Sequence, residues 1–399
     1  MSTSIAPTSS STGQNVQAGT LAGVVAAPSA ICTVDGQAGR LIYRGYDVED
    51  LALGASYEEV VHLLWEGNLP TQAQLGPFST RLAEARSVPT VVLDHLRVIP
   101  ASSHPLAVLR SAVSLLSHHD PEAEAMSPRV TRAKAERLLG QIATLVAAWA
   151  RIRDGKDPVA PRKDLAAAPN FLYMLFGQEP DGLAARAMDV AFTLHAEHEF
   201  NASTFAARVA AGTYVDLHTA VVAAFAALKG PRHGGANQDV IEMAEEIGDP
   251  ARAEAWARER VARWKAASRE ERADPRLRFP GFGHRVYKTL DPRARQLQGL
   301  AAQVSEARGV SIGAIQETVR QVVTTEMGLH PNVDYYSAGL YHALGIPSDL
   351  YTSIFAVART AGLVAHYEEQ AYGGRLIRPR AEYTGPLNRP FVPLAARAA

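Results

Sequence analysis

Long alanine-rich segments with helical periodicity are the feature that most restricts how this 399-residue chain can fold. The segments LLGQIATLVAAWARIRDG and TAVVAAFAALKG carry apolar residues on more than one helical face, which is typical of helices packed on several sides. A strand signal occurs in AICTVDGQAGRLIYRGYD (Ala30–Asp47), where apolar and polar residues alternate around Asp-Gly. The sequence therefore predicts an all-α protein with one minor N-terminal β-hairpin.

Helix boundaries near the C-terminus are marked by capping residues. In PSDLYTSIFAVARTAGLVAHYEEQAYGG, Ser348 is a good N-cap and the acidic Asp349 follows it. Gly373 and Gly374 are typical of a helix end. The pattern predicts one long helix between these two signals.

The charge balance argues against binding to nucleic acid or to a membrane. Lys and Arg total 40 and Asp and Glu total 41, so there is no excess of positive charge. The longest apolar run, Ala220–Leu228, is far shorter than the ~18 residues that a membrane span requires. We therefore expect neither a nucleic-acid partner nor a membrane partner.

The N-terminal residues and the cysteine content favour a cytoplasmic location. Residues 1–19 are rich in Ser, Thr, Gly and Gln and predict a disordered tail. No Lys or Arg precedes Arg40, so neither a secretory signal nor a transit peptide is indicated. Cys32 is the only cysteine, which excludes an intrachain disulfide and fits a reducing compartment.

Familiar cofactor motifs are absent from the sequence. No G-x-G-x-x-G follows a strand, and neither G-x-x-x-x-G-K-[ST] nor H-E-x-x-H occurs. We expect no cofactor, so any chemistry has to come from side chains.

The segment HAEHEFNASTFAARV contains two histidines, His195 and His198, three residues apart. On a predicted helix they share a face, so a zinc site is one interpretation. A hydrogen-bonded structural histidine is the interpretation favoured by the missing third ligand. A third interpretation is that one of them donates a hydrogen bond to an anionic ligand.

The segment LKGPRHGGANQDV places His233 between glycines. Gly230 and Pro231 end the preceding helix, and a new helix is predicted to start near Asn237. His233 would then lie against a helix N-terminus, where partial positive charge keeps the ring neutral. A neutral histidine there can donate a hydrogen bond to a carbonyl that is becoming an enolate. The alternative is a surface turn with an incidental histidine.

The segment GFGHRVYKTLDPRARQL concentrates titratable and cationic groups. Asp291 and Pro292 are typical of a helix start, which puts Arg293 and Arg295 near the first turn. Cations there are unfavourable by ~0.3–1 kcal/mol unless an anion neutralises them, which favours a bound ligand over a solvated turn. His284 could reach the same ligand.

Asp334 lies between apolar and aromatic neighbours in PNVDYYSAGL. A carboxylate in such surroundings has either a structural partner or the role of a base.

Five segments resemble the signature segments of the citrate synthase family and occur in the same order. They are HAEHEFNASTFAARV, GPRHGGAN, PGFGHRVYKTLDPRA, NVDYYSAGLY and RLIRPRAEYTGP. LIYRGYDVEDLA is similar to the opening hairpin and first helix of that family, so the resemblance runs from about residue 20 to the C-terminus.

The resemblance implies an architecture and a reaction. It implies a helical homodimer in which residues 20–229 and 336–399 form a large domain, residues 230–335 form a small one, and the active site lies between them. It implies condensation of acetyl-CoA with oxaloacetate, followed by thioester hydrolysis to citrate and CoA. No metal and no prosthetic group are implied.

The resemblance also implies roles for individual residues. Asp334 resembles the base, His233 the donor to the thioester oxygen, and His284 the donor to the ketone of oxaloacetate. The implied oxaloacetate-binding residues are His198, Arg293, Arg359 and, from the partner subunit, Arg378. The implied CoA-binding residues are Gly283 and Lys288.

Three other functions remain open at this point. A 2-methylcitrate synthase would use the same residues with propionyl-CoA, and one extra methylene changes pocket affinity by only ~1–3 kcal/mol. A non-catalytic protein that binds CoA or an anion is a second alternative, against which the intact set of Asp334, His233 and His284 argues. A zinc hydrolase using His195 and His198 is the third.

Overall fold

The computed structural model describes residues 24–230, 233–274 and 277–397 of the chain. The disordered tail expected at residues 1–19 lies outside these ranges. Within them the chain forms sixteen α-helices and one small antiparallel sheet, which confirms the predicted all-α class. None of these helices is both long and apolar enough to cross a lipid bilayer.

The helices follow one another along the chain with short connections. In chain order they are α1 (Val48–Gly54), α2 (Tyr57–Glu66), α3 (Gln72–Glu84), α4 (Thr90–Arg97), α5 (Pro105–Ser117), α6 (Pro128–Arg153), α7 (Ala167–Phe176), α8 (Gly182–His195), α9 (Ala202–Ala211), α10 (Leu217–Leu228), α11 (Ala236–Ile247), α12 (Pro250–Ala266), α13 (Pro292–Arg308), α14 (Ile312–Met327), α15 (Val333–Ala343) and α16 (Tyr351–Gly373).

The predicted hairpin is confirmed. Strand β1 (Cys32–Asp35) pairs antiparallel with β2 (Arg40–Tyr43), and the Asp35 carboxylate accepts hydrogen bonds from two N–H groups of the turn. A third strand, β3 (Tyr46–Asp47), pairs with β2. It was not predicted, because two residues are too few to show an alternating pattern.

The hairpin turn lies directly against the segment from Val286 to Thr289. The N–H of Lys288 donates a 2.8 Å hydrogen bond to the carbonyl of Gly36. A Cβ at Gly36 would collide with the carbonyl of Val286, and one at Gly39 would collide with the side chain of Thr289. Both positions need glycine for space, so the N-terminal sheet supports one loop of the site described below.

Helix α16 is the central helix and is buried along most of its length. It packs against α2, α6, α8, α9 and α10. The Tyr57 hydroxyl and the Trp65 indole of α2 donate 2.9 Å hydrogen bonds to the carbonyls of Ala358 and Ala361. These two side chains therefore have their polar ends satisfied inside the core.

The predicted end of this helix at Gly373 is confirmed, but the predicted start was wrong. A 3-10 turn covers Ser348–Leu350, and α16 begins at Tyr351. Asp349, expected in the first α-helical turn, instead accepts two hydrogen bonds from Arg153 at the C-terminal end of α6.

Helices α11 to α15 form a second group of mutual contacts. Helices α11, α13 and α14 each pack against α15, and α12 packs against α14. Helix α13 also contacts α1 and α8. The expected boundary between residues 335 and 336 falls inside α15. The division into a large domain and a small domain stays a prediction.

Candidate active site

Two glycines hold the loop that carries His284. Gly281 and Gly283 both have φ +74°, which disfavours any residue with a side chain. The carbonyls of Gly281 and Gly283 accept hydrogen bonds of 2.8 and 2.9 Å from the backbone and side chain of Asn332. The N–H of Gly283 donates to the carbonyl of His330. This pairing places the His284 loop beside the N-terminus of α15.

Asp334 is the second residue of α15. Its N–H donates a 3.0 Å hydrogen bond to the side chain of Asn332, which caps the helix. Burial raises the pKa of Asp334 to about 6, against the opposing influence of the Arg293 charge. No described residue donates a hydrogen bond to this carboxylate. Asp334 is thus a half-buried carboxyl group with a pKa close to neutrality and no structural partner among the described residues, as a general base requires.

His284 has one ring nitrogen fixed by the backbone. Its Nδ1 accepts hydrogen bonds from the N–H groups of Val286 (3.0 Å) and Tyr287 (3.2 Å). Burial, followed by the charge of Arg293, lowers the pKa of His284 to about 4, so the ring is neutral. Because Nδ1 is an acceptor, hydrogen bonding assigns the single proton to Nε2. His284 is therefore a donor through Nε2.

His233 has the opposite arrangement. Its Nε2 lies 3.2 Å from the backbone nitrogen of Ser203, whose N–H points at it, and 2.9 Å from the Ser203 hydroxyl. Burial, followed by the charge of Arg359, lowers the pKa of His233 to about 4. A proton on Nε2 would face the Ser203 N–H, so hydrogen bonding assigns it to Nδ1.

The helix N-terminus beside His233 is not the one that the sequence predicted. Helix α11 begins at Ala236, one residue from the prediction. The ring of His233, however, contacts the N-terminus of α9, where Asn201 caps the backbone N–H groups of Ser203 and Thr204. The expected neutral histidine at a helix N-terminus is present, but the helix comes from a distant part of the sequence.

His195 and His198 do not lie on one helix, so that prediction was wrong. Helix α8 ends at His195, and His198 lies in the connection to α9. The connection leaves the helix because the capping residue Asn201 starts α9 six residues after His195. His195 is fully buried and its Nδ1 lies 2.7 Å from the carbonyl of Ala191, as a structural histidine would. No three potential metal-ligating side chains converge anywhere in the described ranges.

His198 faces the His284 loop. Its Nε2 lies 3.1 Å from the hydroxyl of Tyr287. The ring centroids of His198 and His284 are 5.3 Å apart, and those of His284 and Tyr287 are 4.7 Å apart. Burial, followed by the charge of Arg293, lowers the pKa of His198 well below its usual value. The ring of His198, in the loop after α8, therefore contacts the rings of His284 and Tyr287, in the loop before α13.

Arg293 is buried and paired with the capping residue of its own helix. Its Nε and Nη2 donate hydrogen bonds of 3.0 and 2.8 Å to the two carboxylate oxygens of Asp291. Burial alone lowers the pKa of Arg293, but the Asp291 charge outweighs it and raises the pKa. Asp291 therefore supplies the neutralising anion that the sequence argument had sought in a ligand, and the predicted role of Arg293 toward a ligand stays a prediction. Arg295 is exposed and bound to Glu49.

Arg359 lies on α16 and is 1% exposed. Its Nε donates a 2.8 Å hydrogen bond to the carbonyl of His195, while its Nη2 is buried without a partner among the described residues. The guanidinium carbon lies 4.6 Å from the ring centroid of Phe355. Burial lowers the pKa of Arg359 from its usual value. A buried guanidinium with an unused donor is the type of group that binds a carboxylate.

For the three remaining predicted site residues, the structure shows no contact among the described residues that tests the predicted role. Arg378 is exposed in the segment that follows α16, and the structure does not bring it to the other site residues. Lys288 is exposed, and Gly283 is half-buried with open space where a Cβ would lie. Their predicted roles toward a partner subunit and CoA stay predictions.

Three residues of the site were missed by the sequence analysis: Tyr287, Ser203 and Phe355. Tyr287 lies inside the quoted histidine segment, and its position three residues after His284 was the available signal. Ser203 follows Asn201 at a typical helix start. Phe355 lies near His195, His233 and Arg359 and had no signal, since it occupies one buried position among many on α16.

The two buried arginines, Arg293 and Arg359, act electrostatically on every titratable group of the site. Each of the following groups feels the positive charge of at least one arginine: His198, His233, His284 and Asp334. The fold thus combines a carboxyl group, two neutral imidazoles whose proton positions follow from their hydrogen bonds, and buried guanidinium groups. These are the kinds of groups that acid–base enzymes use to remove a proton and to donate hydrogen bonds to the resulting negative charge.

Comparison with known proteins identifies the family. A family described as citrate synthase, C-terminal domain, matches residues 20–380. The chain is 43% identical to citrate synthase 2 of Bacillus subtilis over 95% of its own length and 98% of that protein. It is 40% identical to a 2-methylcitrate synthase of Mycobacterium tuberculosis, covering 92% of this chain and 91% of the relative. The chain belongs to the citrate synthase family.

Solved structures agree with this assignment. The citrate synthase of Pyrobaculum aerophilum superposes with a TM-score of 0.85 at 37% identity, over 94% of each chain. The citrate synthase of Thermoplasma acidophilum, solved with carboxymethyl coenzyme A and oxaloacetate, gives a TM-score of 0.84 at 33% identity over 94% of this chain and 98% of that one. The protein is an enzyme of the citrate synthase type, a transferase.

Proposed function

We propose that this enzyme condenses acetyl-CoA with oxaloacetate and then hydrolyses the thioester, releasing citrate and CoA. The observation that carries the proposal is the combination of a near-neutral carboxyl group at Asp334 with imidazole protons assigned to Nδ1 of His233 and Nε2 of His284. These are the base and the two donors that the reaction requires. The proposed reaction uses no metal and no prosthetic group.

In the first step Asp334 removes a proton from the methyl carbon of acetyl-CoA. A carboxylate is too weak a base for this proton unless the thioester oxygen is stabilised at the same time. The Nδ1–H of His233 is proposed to donate to that oxygen as it becomes an enol. The half-buried position of both groups strengthens this hydrogen bond, because water competes less for it.

In the second step the enol carbon attacks the ketone carbon of oxaloacetate. The Nε2–H of His284 is proposed to donate to the ketone oxygen and to transfer its proton to that oxygen as the carbon–carbon bond forms. A proton then returns to Nε2 from solvent, and Asp334 releases to solvent the proton that it took from the methyl carbon. We assign the carboxylates of oxaloacetate to His198, Arg293 and Arg359. Water then cleaves the thioester bond, which gives the citrate carboxylate and the CoA thiol.

For CoA itself we propose contacts on the same loop. Lys288 is exposed and positively charged, which suits the phosphates of CoA. Gly283 leaves open space where a side chain would stand, which suits a close approach of the CoA chain. The enzyme is proposed to act in the cytoplasm.

The test of the function is release of free thiol by the purified protein with oxaloacetate. We expect kcat/KM for acetyl-CoA to exceed that for propionyl-CoA, by roughly 10- to 200-fold if one methylene decides the pocket. A preference for propionyl-CoA would instead assign the chain to the 2-methylcitrate synthases, which the Mycobacterium tuberculosis relative makes the second candidate. No thiol release with either acyl-CoA would overturn the catalytic proposal.

We also propose a homodimer in which Arg378 of each copy completes the site of the other. The segment after α16 supports this, because it exposes several large apolar side chains that a second copy would cover. They are Leu376, Tyr383, Leu387, Phe391, Val392 and Leu394.

Mixed dimers test this arrangement. Asp334→Asn and Arg378→Ala are each expected to be inactive alone. After co-refolding the two, one site in each mixed dimer would be intact, so about one quarter of the wild-type activity should return. Absence of any recovery would place Arg378 in the site of its own chain, and a single-chain mass by light scattering would exclude the dimer.

A further inference from the structure

A chain of four buried or partly buried polar side chains ends at Glu197, the residue before His198. Glu197 and His366 are each 0% exposed, and Oε1 of the glutamate lies 3.0 Å from Nε2 of the imidazole. Nδ1 of His366 lies 3.0 Å from Nη1 of Arg208, and that Nη1 donates a 2.5 Å hydrogen bond to Glu369. None of these four side chains has a role in the proposed reaction.

The direction of every hydrogen bond in this chain is fixed. An arginine can only donate, so Nδ1 of His366 must accept from Arg208. The imidazole proton is therefore on Nε2 and is donated to the Glu197 carboxylate. Glu197 therefore receives a directed hydrogen bond from the His366 ring.

Three residues of α16 donate hydrogen bonds to three successive residues of the loop before His198. Arg359 donates to the carbonyl of His195, the N–H of Gly362 donates to the carbonyl of Ala196 (3.2 Å), and His366 donates to the carboxylate of Glu197. The three helix positions are spaced i, i+3 and i+7, so they share one face of α16.

Gly362 makes room for this arrangement. A Cβ at Gly362 would collide with Oε2 of Glu197. On the opposite side, the hydroxyl of Tyr43 donates a 2.8 Å hydrogen bond to the carbonyl of Glu197. The backbone and side chain of Glu197 are thus held from two elements.

Glu197 also supplies a buried negative charge near Arg359. Its charge is the strongest influence that opposes the lowering of the Arg359 pKa by burial. Its Oε2 is buried without a hydrogen-bond donor among the described residues, so His366, at Oε1, is the side chain that donates to this carboxylate.

We propose that Glu197 is a positioning residue for oxaloacetate. Through His366 and Arg208 it fixes the loop that presents His198 to the substrate, and this loop in turn holds the side chain of Arg359, which lies on α16. The inference rests on the proposed function, because it names oxaloacetate as the ligand of these two residues. Glu197 itself contacts neither the substrate nor the reacting atoms in this proposal.

The test is Glu197→Gln, which keeps the shape and removes the charge. We expect the KM for oxaloacetate to rise by roughly 10- to 100-fold, because the charge-assisted hydrogen bond from His366 becomes a neutral one and the negative charge beside Arg359 is lost. The KM for acetyl-CoA should change by less than about twofold, because the CoA contacts lie on another loop. The dissociation constant for oxaloacetate, measured by calorimetry without acetyl-CoA, should rise by the same factor as its KM.

The matched control is Glu199→Gln, two residues further along the same loop and exposed. It should leave both KM values unchanged. At position 366, glutamine can place an amide donor where Nε2 lies, so His366→Gln should keep a low KM for oxaloacetate, whereas His366→Leu should reproduce the effect of Glu197→Gln.

Two outcomes would overturn the inference. One is a stable Glu197→Gln enzyme that binds oxaloacetate as the wild type does. The other is an equal rise in both KM values together with a lowered melting temperature, which would indicate a general structural role. If the wild type binds oxaloacetate but releases no thiol, the proposed function fails while the binding comparison at Glu197 remains decisive.

Discussion

Asp334→Asn is expected to lower kcat for condensation by roughly 100- to 10,000-fold, the range typical of losing a general base. Asparagine has the shape of aspartate and keeps the backbone N–H that Asn332 caps, so the N-terminus of α15 stays intact. It cannot accept the methyl proton of acetyl-CoA. The dissociation constant for oxaloacetate, measured by calorimetry, should change little, since Asp334 is assigned to the other substrate.

The same residue sets the acidic limb of the pH profile. The base works only when ionised, and burial raises its pKa to about 6 from the ~3.9 of an exposed aspartate. Activity is therefore lost as the pH falls through about 6, and at pH 5 only about one tenth of the free enzyme carries the base. The limb should be read from kcat/KM for acetyl-CoA with oxaloacetate saturating.

The Asp334→Asn enzyme provides the control for this profile. Its residual rate should lack the limb near pH 6. A wild-type limb near pH 4 would contradict the raised pKa of Asp334, and an unaltered limb in the variant would show that another group is the base.

Amide substitutions at the two donor histidines are expected to give opposite results. The proton is assigned to Nδ1 in His233 and to Nε2 in His284. An asparagine amide nitrogen can occupy the place of Nδ1, and a glutamine amide nitrogen that of Nε2. His233→Asn should keep more activity than His233→Gln, and His284→Gln should keep more activity than His284→Asn.

His233→Gln and His284→Asn should each lower kcat by roughly 100- to 10,000-fold, because the donor to the developing negative charge is lost. The measurement is kcat for the four variants under saturating substrates, with thermal unfolding as a check on folding. The same ranking of the two amides at both positions would contradict the assigned proton positions.

Much of the helical framework could be predicted because its signals are local. The Asp-Gly hairpin, the Asp291–Pro292 helix start and the Gly373 helix end each depend on a few neighbouring residues, and all three are confirmed. The start of α16 was misplaced because Asp349 is bound by Arg153, which lies 196 residues earlier in the chain. A pairing of that separation leaves no local pattern to detect.

The residues of the site could be predicted from the sequence, but most of the contacts that hold them in place could not. The histidines, Asp334 and the arginines stand in recognisable segments, but their partners come from elsewhere. The N-terminus of α9 that fixes His233 was not predictable from the neighbourhood of that histidine. The neutralisation of Arg293 by Asp291 lies within two residues, yet a helix start alone does not reveal which way a guanidinium turns.

The hairpin turn has a consequence for the order in which a newly made chain can mature. Gly36 leaves the ribosome early, whereas its partners Val286 and Lys288 follow about 250 residues later. At ~5–20 residues per second, that interval is on the order of tens of seconds. Throughout it the hairpin turn lacks its docking surface, and the loop bearing His284 gains its support only when most of the polypeptide has been synthesised. Catalytic competence is therefore a late event in biogenesis, reached by closing one of the longest-range contacts of the molecule.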